Sequence, residues 1–488
     1  GFVVSDALAV GNLVTHGFAA GPEDAAQRAL TAGVNMDMAS RTFSKNLVAL
    51  VRQKKISVQQ LDEAVRPLLE AKLRLGLFEN PYVDESRVDS VLDRPETRQL
   101  ERKLSSRSMV LLSNRQGTLP LSKSVRHLAV VGPLADSSAD IVGAWTVESM
   151  FGEGDRSKAV SVLAGIRAKI GSENTIMYAP GPEIRRDIPS FLDKLMLRKP
   201  VPPQTSEQQD RAIEQAVAAA RQSDAVIAVL GERYDMSGEG ASRASLQLPG
   251  RQEELLKALV ATGKPVVLVL LNGRPLDITW ASQNVGAILE AWYPGTEGGS
   301  AVADVLFGDV NPGGKLPVSW PRNVGQEPLY YARNLTHEPD NAPDFQSRYW
   351  DSPSSPLYPF GFGLSYSSFR FSDLKLSRAS LKQNETVDVS VTVANTSGVA
   401  GDVVAQIYIH QQAGSASRPM RQLKGFKRVA LAPGESRTLH FSLGKSELSF
   451  WSPATRSWVW EPGKFDVWAG EDSTASLHAE FSVVPSNN

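Results

Sequence analysis

The sequence predicts a multidomain chain that is α/β over its first two thirds and all-β at its end. Three observations lead there. Short runs of Val, Ile and Leu recur to about residue 320 with helical patterns between or after most of them, the signature of strands covered on both faces. From residue 369 the apolar period changes to two, as in Val387, Val389, Val391 and Val393, which marks half-buried antiparallel strands. The chain has 488 residues, 42% of them hydrophobic, too many for a single core.

The opening run Phe2-Val3-Val4 is strand-sized and is expected to be buried, and Ser5-Asp6 closes it with a carboxylate. Catalytic groups of parallel barrels sit at such C-terminal strand ends. An Asp there is also a common turn or helix-capping residue. A helix and a second strand-like piece, Ala32–Met38, complete a βαβ unit. A helix over Arg41–Arg52 follows, then one opened by the capping box Ser57–Gln60. Pro67 is expected to kink this helix, and Gly76 to close it. Residues 77–95 read as a linker. Two strands with their helices cannot close a barrel, so a substantial N-terminal part is expected to lie outside this sequence.

A helix over Glu96–Ser108 begins the second region, followed by strands at Met109–Leu112, Leu128–Gly132, Ala225–Gly231, Val266–Leu271 and Ile288–Trp292. Helical patterns cover Glu207–Gln222, Arg251–Ala261 and Gly298–Phe307, and Asp187–Gln209 interrupts the rhythm as an insertion. A largely parallel sheet follows from this order. Residues 321–368, rich in Pro, Gly, Tyr and Ser, form an extended connector. Residues 369–488, with turn signals at Asn395–Gly398, Pro433-Gly434-Glu435 and Pro462-Gly463, form a sandwich of immunoglobulin or fibronectin type III character.

Composition removes several functions. A net charge of −1, from 52 basic and 53 acidic residues, supplies no field for nucleic acid. No apolar run approaches the ~18–20 residues of a membrane span. Without cysteine there is no disulfide framework, thiolate zinc site or catalytic thiol. His16, His127, His337, His410, His440 and His478 show no metal-ligand spacing.

The strongest local candidate for chemistry is the loop Gly231–Arg243, which follows a buried strand and holds Glu232, Asp235 and Glu239, the last between Gly238 and Gly240. Ligands of α/β sheets gather beyond the carboxyl ends of the strands. The alternative is a solvated loop with a Glu–Arg pair. Asp6 and Glu239 together suggest the two carboxylates of glycoside hydrolysis, one as nucleophile or base and one as acid. Trp145 is a candidate sugar platform or, equally, a buried structural Trp.

Several stretches resemble glycoside hydrolase family 3, in its periplasmic β-glucosidase branch. Phe2–Asp6 resembles the strand bearing the family's nucleophile, and Ala32–Met38 the next barrel strand. Val110–Asn114 and Val130–Asp136 resemble the start of its α/β sandwich. Asn272-Gly273-Arg274-Pro275, Pro294–Gly299, Asp304–Asp309, Asn311–Pro317 and Tyr358–Tyr366 continue the likeness almost to the C-terminus. The resemblance implies the C-terminal part of a (β/α)8 barrel over 1–76, an α/β sandwich over 96–320 and a fibronectin type III-like domain over 369–488. It implies an exo-acting, retaining β-glucosidase working without cofactor or metal, with Asp6 as nucleophile, Glu239 as general acid/base and Trp145 against the sugar beyond the scissile bond. A β-xylosidase, a glucan exohydrolase or a non-catalytic carbohydrate-binding protein are the alternatives. The implied partner is an oligosaccharide or glucoside, with neither nucleic acid nor membrane, and a homodimer is allowed. The implied location is periplasmic or secreted. Many relatives carry Trp directly after the nucleophile, where this chain has Ala7. The family's Lys-His and Asp contacts to the sugar belong upstream of Gly1.

Overall fold

The structure, a computed structural model, describes residues 1–92, 94–146, 158–171, 173–189, 193, 202–335 and 349–485. The chain divides into two compact units, Gly1–Arg94 and Pro95–Asn488.

In the first unit Val4 forms a single parallel bridge to Met36. Helices α1 (Ala9–Thr15), α2 (Pro22–Thr31), α3 (Thr42–Arg52) and α4 (Val58–Arg74) follow. Two helices, not one, separate the strand-like segments. The Ser57–Gln60 capping box is present, α4 continues through Pro67 as one element, and Leu75 caps it with Gly76 beyond in the left-handed region. Ala26, Leu30, Leu50 and Ile56 form a small core. Phe2, Val3 and Val4, expected to be buried, are exposed. Among the described residues they have one strand-like neighbour, at Met36, and each side chain is only partly covered. The expected linker is partly helical: Glu85–Arg87 is a turn of 3-10 helix and α5 spans Val88–Leu92.

The second unit opens with α6 (Pro95–Ser108), followed by β1 (Val110–Asn114), β2 (His127–Val131), β3 (Thr175–Ala179), β4 (Ala225–Gly231), β5 (Val266–Leu271) and β6 (Ala287–Glu290). They form a six-stranded sheet in the order β1-β6-β5-β4-β2-β3. All neighbours are parallel except β1, which runs antiparallel to β6. β3 and the helix Val162–Ile170 before it went unrecognised in the sequence. β3 is an edge strand with much of its surface exposed, so its pattern lacks the continuous apolar run of its neighbours. β6 ends two residues before the expected Trp292, whose backbone turns left-handed at φ 58°.

The continuous apolar runs split cleanly between two cores. Leu128, Val130, Ile227, Val229, Val267 and Val269 face helices Val162–Ile170 and Gly298–Leu306. Ala129, Val131, Val226, Ala228, Leu268 and Leu270 face helices Ser206–Arg221 and Gln252–Val260. Period-two alternation thus buries both faces, each large side chain contributing about 1.5–3 kcal/mol.

Charge fastens α6 to the helix Gly298–Leu306. The Asp304 carboxylate accepts from Arg102 Nε at 2.6 Å and Arg102 Nη2 at 2.7 Å, and also from Lys169. Burial raises the Asp304 carboxyl, but the hydrogen bonds from Arg102 and Lys169 outweigh it and hold the group below the usual carboxylate range. A folded-state pKa below the unfolded one gives stability present above the unfolded value near ~4 and lost as pH falls through the folded value. Acid unfolding of Asp304→Asn, followed by circular dichroism, should therefore show a shallower loss of stability below pH ~4 than the parent.

The C-terminal region is a β-sandwich. β7 (Phe369–Leu376), β8 (Ser380–Lys382), β9 (Val387–Asn395), β10 (Gly401–Gln411), β11 (Gln422–Leu431) and β12 (Ser436–Leu443) lead to β13 (Phe450–Ser452), β14 (Ser457–Val459), β15 (Gly463–Gly470) and β16 (Leu477–Val484). A five-stranded sheet, β11-β10-β15-β16-β8, faces a three-stranded one, β12-β9-β7. Val387, Val389, Val391 and Val393 are buried against Ile407, Phe465 and Phe481. The two regions pack as one unit: Asn311 Nδ2 donates to Ser367 Oγ at 2.8 Å and to Ala400 O at 2.9 Å, and Lys315 Nζ to Gly363 O at 2.7 Å. The described part of residues 321–368 makes backbone contacts with the sheet domain. Leu364 N donates to Leu111 O at 2.8 Å, and Trp320 N to Tyr358 O at 2.8 Å.

Candidate active site

Asp6 sits where the first strand-like segment turns into α1. Ser5 N donates to Met36 O at 2.9 Å, Leu8 N to Met38 O at 2.9 Å, and Met38 N to Ser5 Oγ at 3.0 Å. These bonds stitch the two segments together and fix the turn. Asp6 O accepts from Ala9 N at 3.1 Å, and its Oδ1 from Ala7 N at 2.7 Å. The side chain is otherwise exposed and carries no ion pair among the described residues. Asp37, at the end of the second segment, is committed to structure: it accepts from Ser40 Oγ at 2.6 Å and from Phe43 N at 3.1 Å at the start of α3. Of the two strand-end aspartates, Asp6 is the more exposed, whereas Asp37 is engaged by Ser40 and Phe43.

In the second unit the sheet order reverses around β2, with β3 on one side and β4 on the other. Crevices form beyond the carboxyl ends of strands at such a reversal. The loop after β4 occupies that end. Gly231 lies at φ 138°, and a Cβ there would stand 2.0 Å from Leu271 O, so only glycine lets β4 pass β5 at this point.

The loop's three carboxylates have different surroundings. Glu232 is fully buried. It accepts from Arg243 Nη1 at 2.8 Å and Arg274 Nε at 3.2 Å. Asp235 is largely buried, and Arg233 Nε lies 3.3 Å from its Oδ1 as an ion pair without hydrogen-bond alignment. Burial raises its carboxyl, against the pull of Arg233. Glu239 is exposed and has no hydrogen bond or ion pair among the described residues.

Two arginines hold the shoulders of the loop. Arg274 Nη2 donates to Met236 O and, at 2.8 Å, to Ala241 O. Arg186 donates to Asp235 O and, at 3.1 Å, to Gly240 O. Between those anchors lie Ser237, Gly238 and Glu239. Gly238 is left-handed at φ 96°, and a Cβ there would meet the Trp145 ring at 3.2 Å. Trp145 is 65% exposed, which removes the buried structural role. The fold therefore brings Trp145 beside the Glu239 loop, although 94 residues separate the two in sequence.

Beneath the loop lies a buried polar layer. Tyr234 N donates to Asp140 Oδ1 at 2.9 Å, and Tyr293 Oη to Arg233 O at 3.0 Å. Glu290 accepts from Trp292 N at 2.8 Å and Asn272 Nδ2 at 3.2 Å. Burial pushes the Glu290 carboxyl well up, the two donors oppose this, and the Glu232 charge adds to the rise. Sequence reasoning assigned no role to Arg186, Asp140, Glu290 or Tyr293. In the sequence Arg274 stands out only as part of Asn272–Pro275. No local pattern links these residues to the loop, since the contacts span tens of residues.

The sandwich places His478, isolated in sequence, 2.8 Å from Asp466 across the β15–β16 pair, with Glu480 nearby. Asp466 also accepts from Gln412 Nε2 at 3.1 Å, so its carboxylate is already engaged in a local hydrogen-bond network. His337 lies outside the described residues.

Comparison with known proteins agrees with this architecture. Residues 1–71 match the glycosyl hydrolase family 3 N-terminal domain, residues 109–366 its C-terminal domain, and residues 403–473 a fibronectin type III-like domain. A periplasmic beta-glucosidase of Salmonella typhimurium is 43% identical over 99% of this chain and 63% of its own length. A beta-xylosidase of Formosa agariphila is 39% identical over 97% of this chain and 63% of its own length. The crystal structure of a beta-glucosidase from Listeria innocua in complex with isofagomine, 35% identical, superposes with a TM-score of 0.87 over 100% of this chain and 64% of that one. The chain thus spans somewhat under two thirds of the length of these relatives. No helix among the described residues is long and apolar enough to cross a membrane. The sheet topology, the sandwich and the matched family domains place the chain in glycosyl hydrolase family 3.

Proposed function

We propose that the full-length protein is an exo-acting, retaining β-glucosidase that removes terminal non-reducing β-D-glucosyl residues from oligosaccharides. One observation carries the assignment of the acid: of the three carboxylates on the loop after β4, Glu239 alone is exposed and unpaired, and its neighbour Gly238 lies against an exposed Trp145. Asp6 is the nucleophile and Trp145 the platform for the sugar beyond the scissile bond. Residues 1–76 belong to a (β/α)8 barrel, 77–95 to a linker, 96–320 to the α/β sandwich, 321–368 to the connector and 369–488 to the fibronectin type III-like domain.

The chemistry proceeds in two displacements. Asp6 attacks the anomeric carbon as Glu239 gives its proton to the leaving oxygen, and a glycosyl-enzyme ester forms. Glu239, now ionised, takes a proton from water, which attacks the same carbon and frees Asp6. Net retention requires carboxyl groups about 5–5.5 Å apart in the working enzyme. The arginine anchors at either side of Glu239 limit the positions its loop can take. The periplasmic relative supports a periplasmic or secreted location. A homodimer is the assembly to test by sedimentation.

The test is intact mass after incubation of the full-length protein with a 2-deoxy-2-fluoro-β-glucosyl inactivator, followed by peptide mapping. A single adduct on Asp6 is expected. Absence of both adduct and aryl-glucoside turnover would remove the β-glucosidase reading and leave a carbohydrate-binding protein. The 39% identical beta-xylosidase supports a second reading within the family, and faster turnover of an aryl β-xyloside than of the glucoside would favour it.

A further inference from the structure

The fibronectin type III-like sandwich carries a second cleft that the proposed reaction does not use. In the β13–β14 hairpin, Trp451 lies directly opposite Trp458, with ring centroids 6.1 Å apart, edge to face. Such a cross-strand pair stabilises a hairpin by itself. Trp458, however, is 65% exposed and walls a cleft of about 830 Å³, which Trp451 does not line. The other walls include Thr386, Ser442, Ser446 and Ser449, with Lys445 and Glu447.

Ser449 is the telling residue. Its side chain is more than nine-tenths buried, and its Oγ has no hydrogen-bond partner among the described residues. Buried hydroxyls are ordinarily paired, and this one, sealed just behind the wall of the cleft, would meet a ligand once the wall shifts slightly to uncover it. The charges of the cleft balance, one lysine against one glutamate. Glu447 is also engaged locally, accepting from Gly444 N at 2.9 Å and from Ser446 Oγ. An ionic ligand finds no field here. An exposed indole beside several hydroxyls suits a molecule with an apolar C–H face and a rim of hydroxyl groups.

We propose that this cleft is an accessory binding site for a neutral oligosaccharide, with Trp458 as the stacking platform and Ser449 Oγ as a hydrogen-bonding partner. The site holds sugar without transforming it, and the proposal stands whether or not the protein proves to be a β-glucosidase.

The test is affinity electrophoresis of the full-length protein in native gels containing a soluble mixed-linkage β-glucan, with urea unfolding of each variant alongside. The parent is expected to be retarded. Trp458→Ala should bind about ten-fold more weakly. Ser449→Ala should bind about three-fold more weakly yet unfold at the same or higher urea, because it removes an unpaired buried hydroxyl. Trp451→Ala removes the same ring contact but no wall of the cleft, and should bind like the parent. Absence of retardation in the parent overturns the proposal. So does equal weakening in Trp451→Ala and Trp458→Ala, which would reduce the effect to hairpin stability. Retardation unchanged in Trp458→Ala and Ser449→Ala overturns it too, because the sugar would then be held elsewhere. The fluoroglucosyl adduct on Asp6 is read independently of all these outcomes.

Discussion

Glu239→Ala is expected to slow hydrolysis of an unactivated β-glucoside by about 10²–10⁴-fold, the usual worth of a positioned acid/base. The loss should depend on the leaving group. A dinitrophenyl glucoside departs without protonation, so the first displacement survives and the glycosyl-enzyme accumulates. Azide, which attacks the anomeric carbon without needing a base, should then restore turnover and yield β-glucosyl azide. Equal slowing of all leaving groups, with no azide rescue, would assign the acid to another residue. Glu232 and Asp235 are poor substitutes on structural grounds. Glu232 is fully buried between two guanidinium groups, and Asp235 is largely buried next to Arg233. Gln at position 239 should behave like Ala for poor leaving groups, since neither supplies a proton.

Glu232→Ala is expected to be the most destabilising single change in the loop. Breaking a buried ion pair from one side costs about 3–5 kcal/mol. Arg243 and Arg274 remain 20% and 22% exposed at their side chains, so part of their charge is recovered by water and the lower end of that range applies. Loss of the like charge near Glu290 relieves that group slightly. Urea unfolding should show the midpoint falling with an unchanged slope. Turnover should fall as well, because Arg274 uses one guanidinium to hold Glu232, Met236 O and Ala241 O together. Glu232→Gln keeps the acceptor and loses the charge, so its stability should lie between the two. An unchanged midpoint in Glu232→Ala would show that the pair is energetically idle and that the loop is held by Arg186 instead.

The sequence by itself determined the layer architecture. β4 and β5 read as buried strands because their residues are apolar on both faces, and the structure shows two cores dividing those residues alternately. The sandwich followed from the valine alternation of β9, a local property of neighbouring residues. The aspartate at the first strand end and the glutamate between two glycines were also legible, because strand ends and glycine-flanked loops are written in consecutive residues.

Tertiary structure alone decided what pairing and burial decide. Glu232, Asp235 and Glu239 are equivalent carboxylates on paper, yet the first is sealed by Arg274, which lies 42 residues away, and the last is left open. Trp145 had an exposed and a buried reading, and its place beside Gly238 separates them. β3 escaped notice because an edge strand buries too little to need an apolar run. Phe2, Val3 and Val4 promised a buried strand, but burial is a property of what packs against a residue, and only the segment at Met36 bridges them among the described residues. Ser449 is one more serine in the sequence, and only the cleft around it gives its unpaired hydroxyl a meaning. Propensity and pattern act over a few neighbouring residues, whereas ion pairs, burial and unmet hydrogen bonds join residues that only the folded chain brings together.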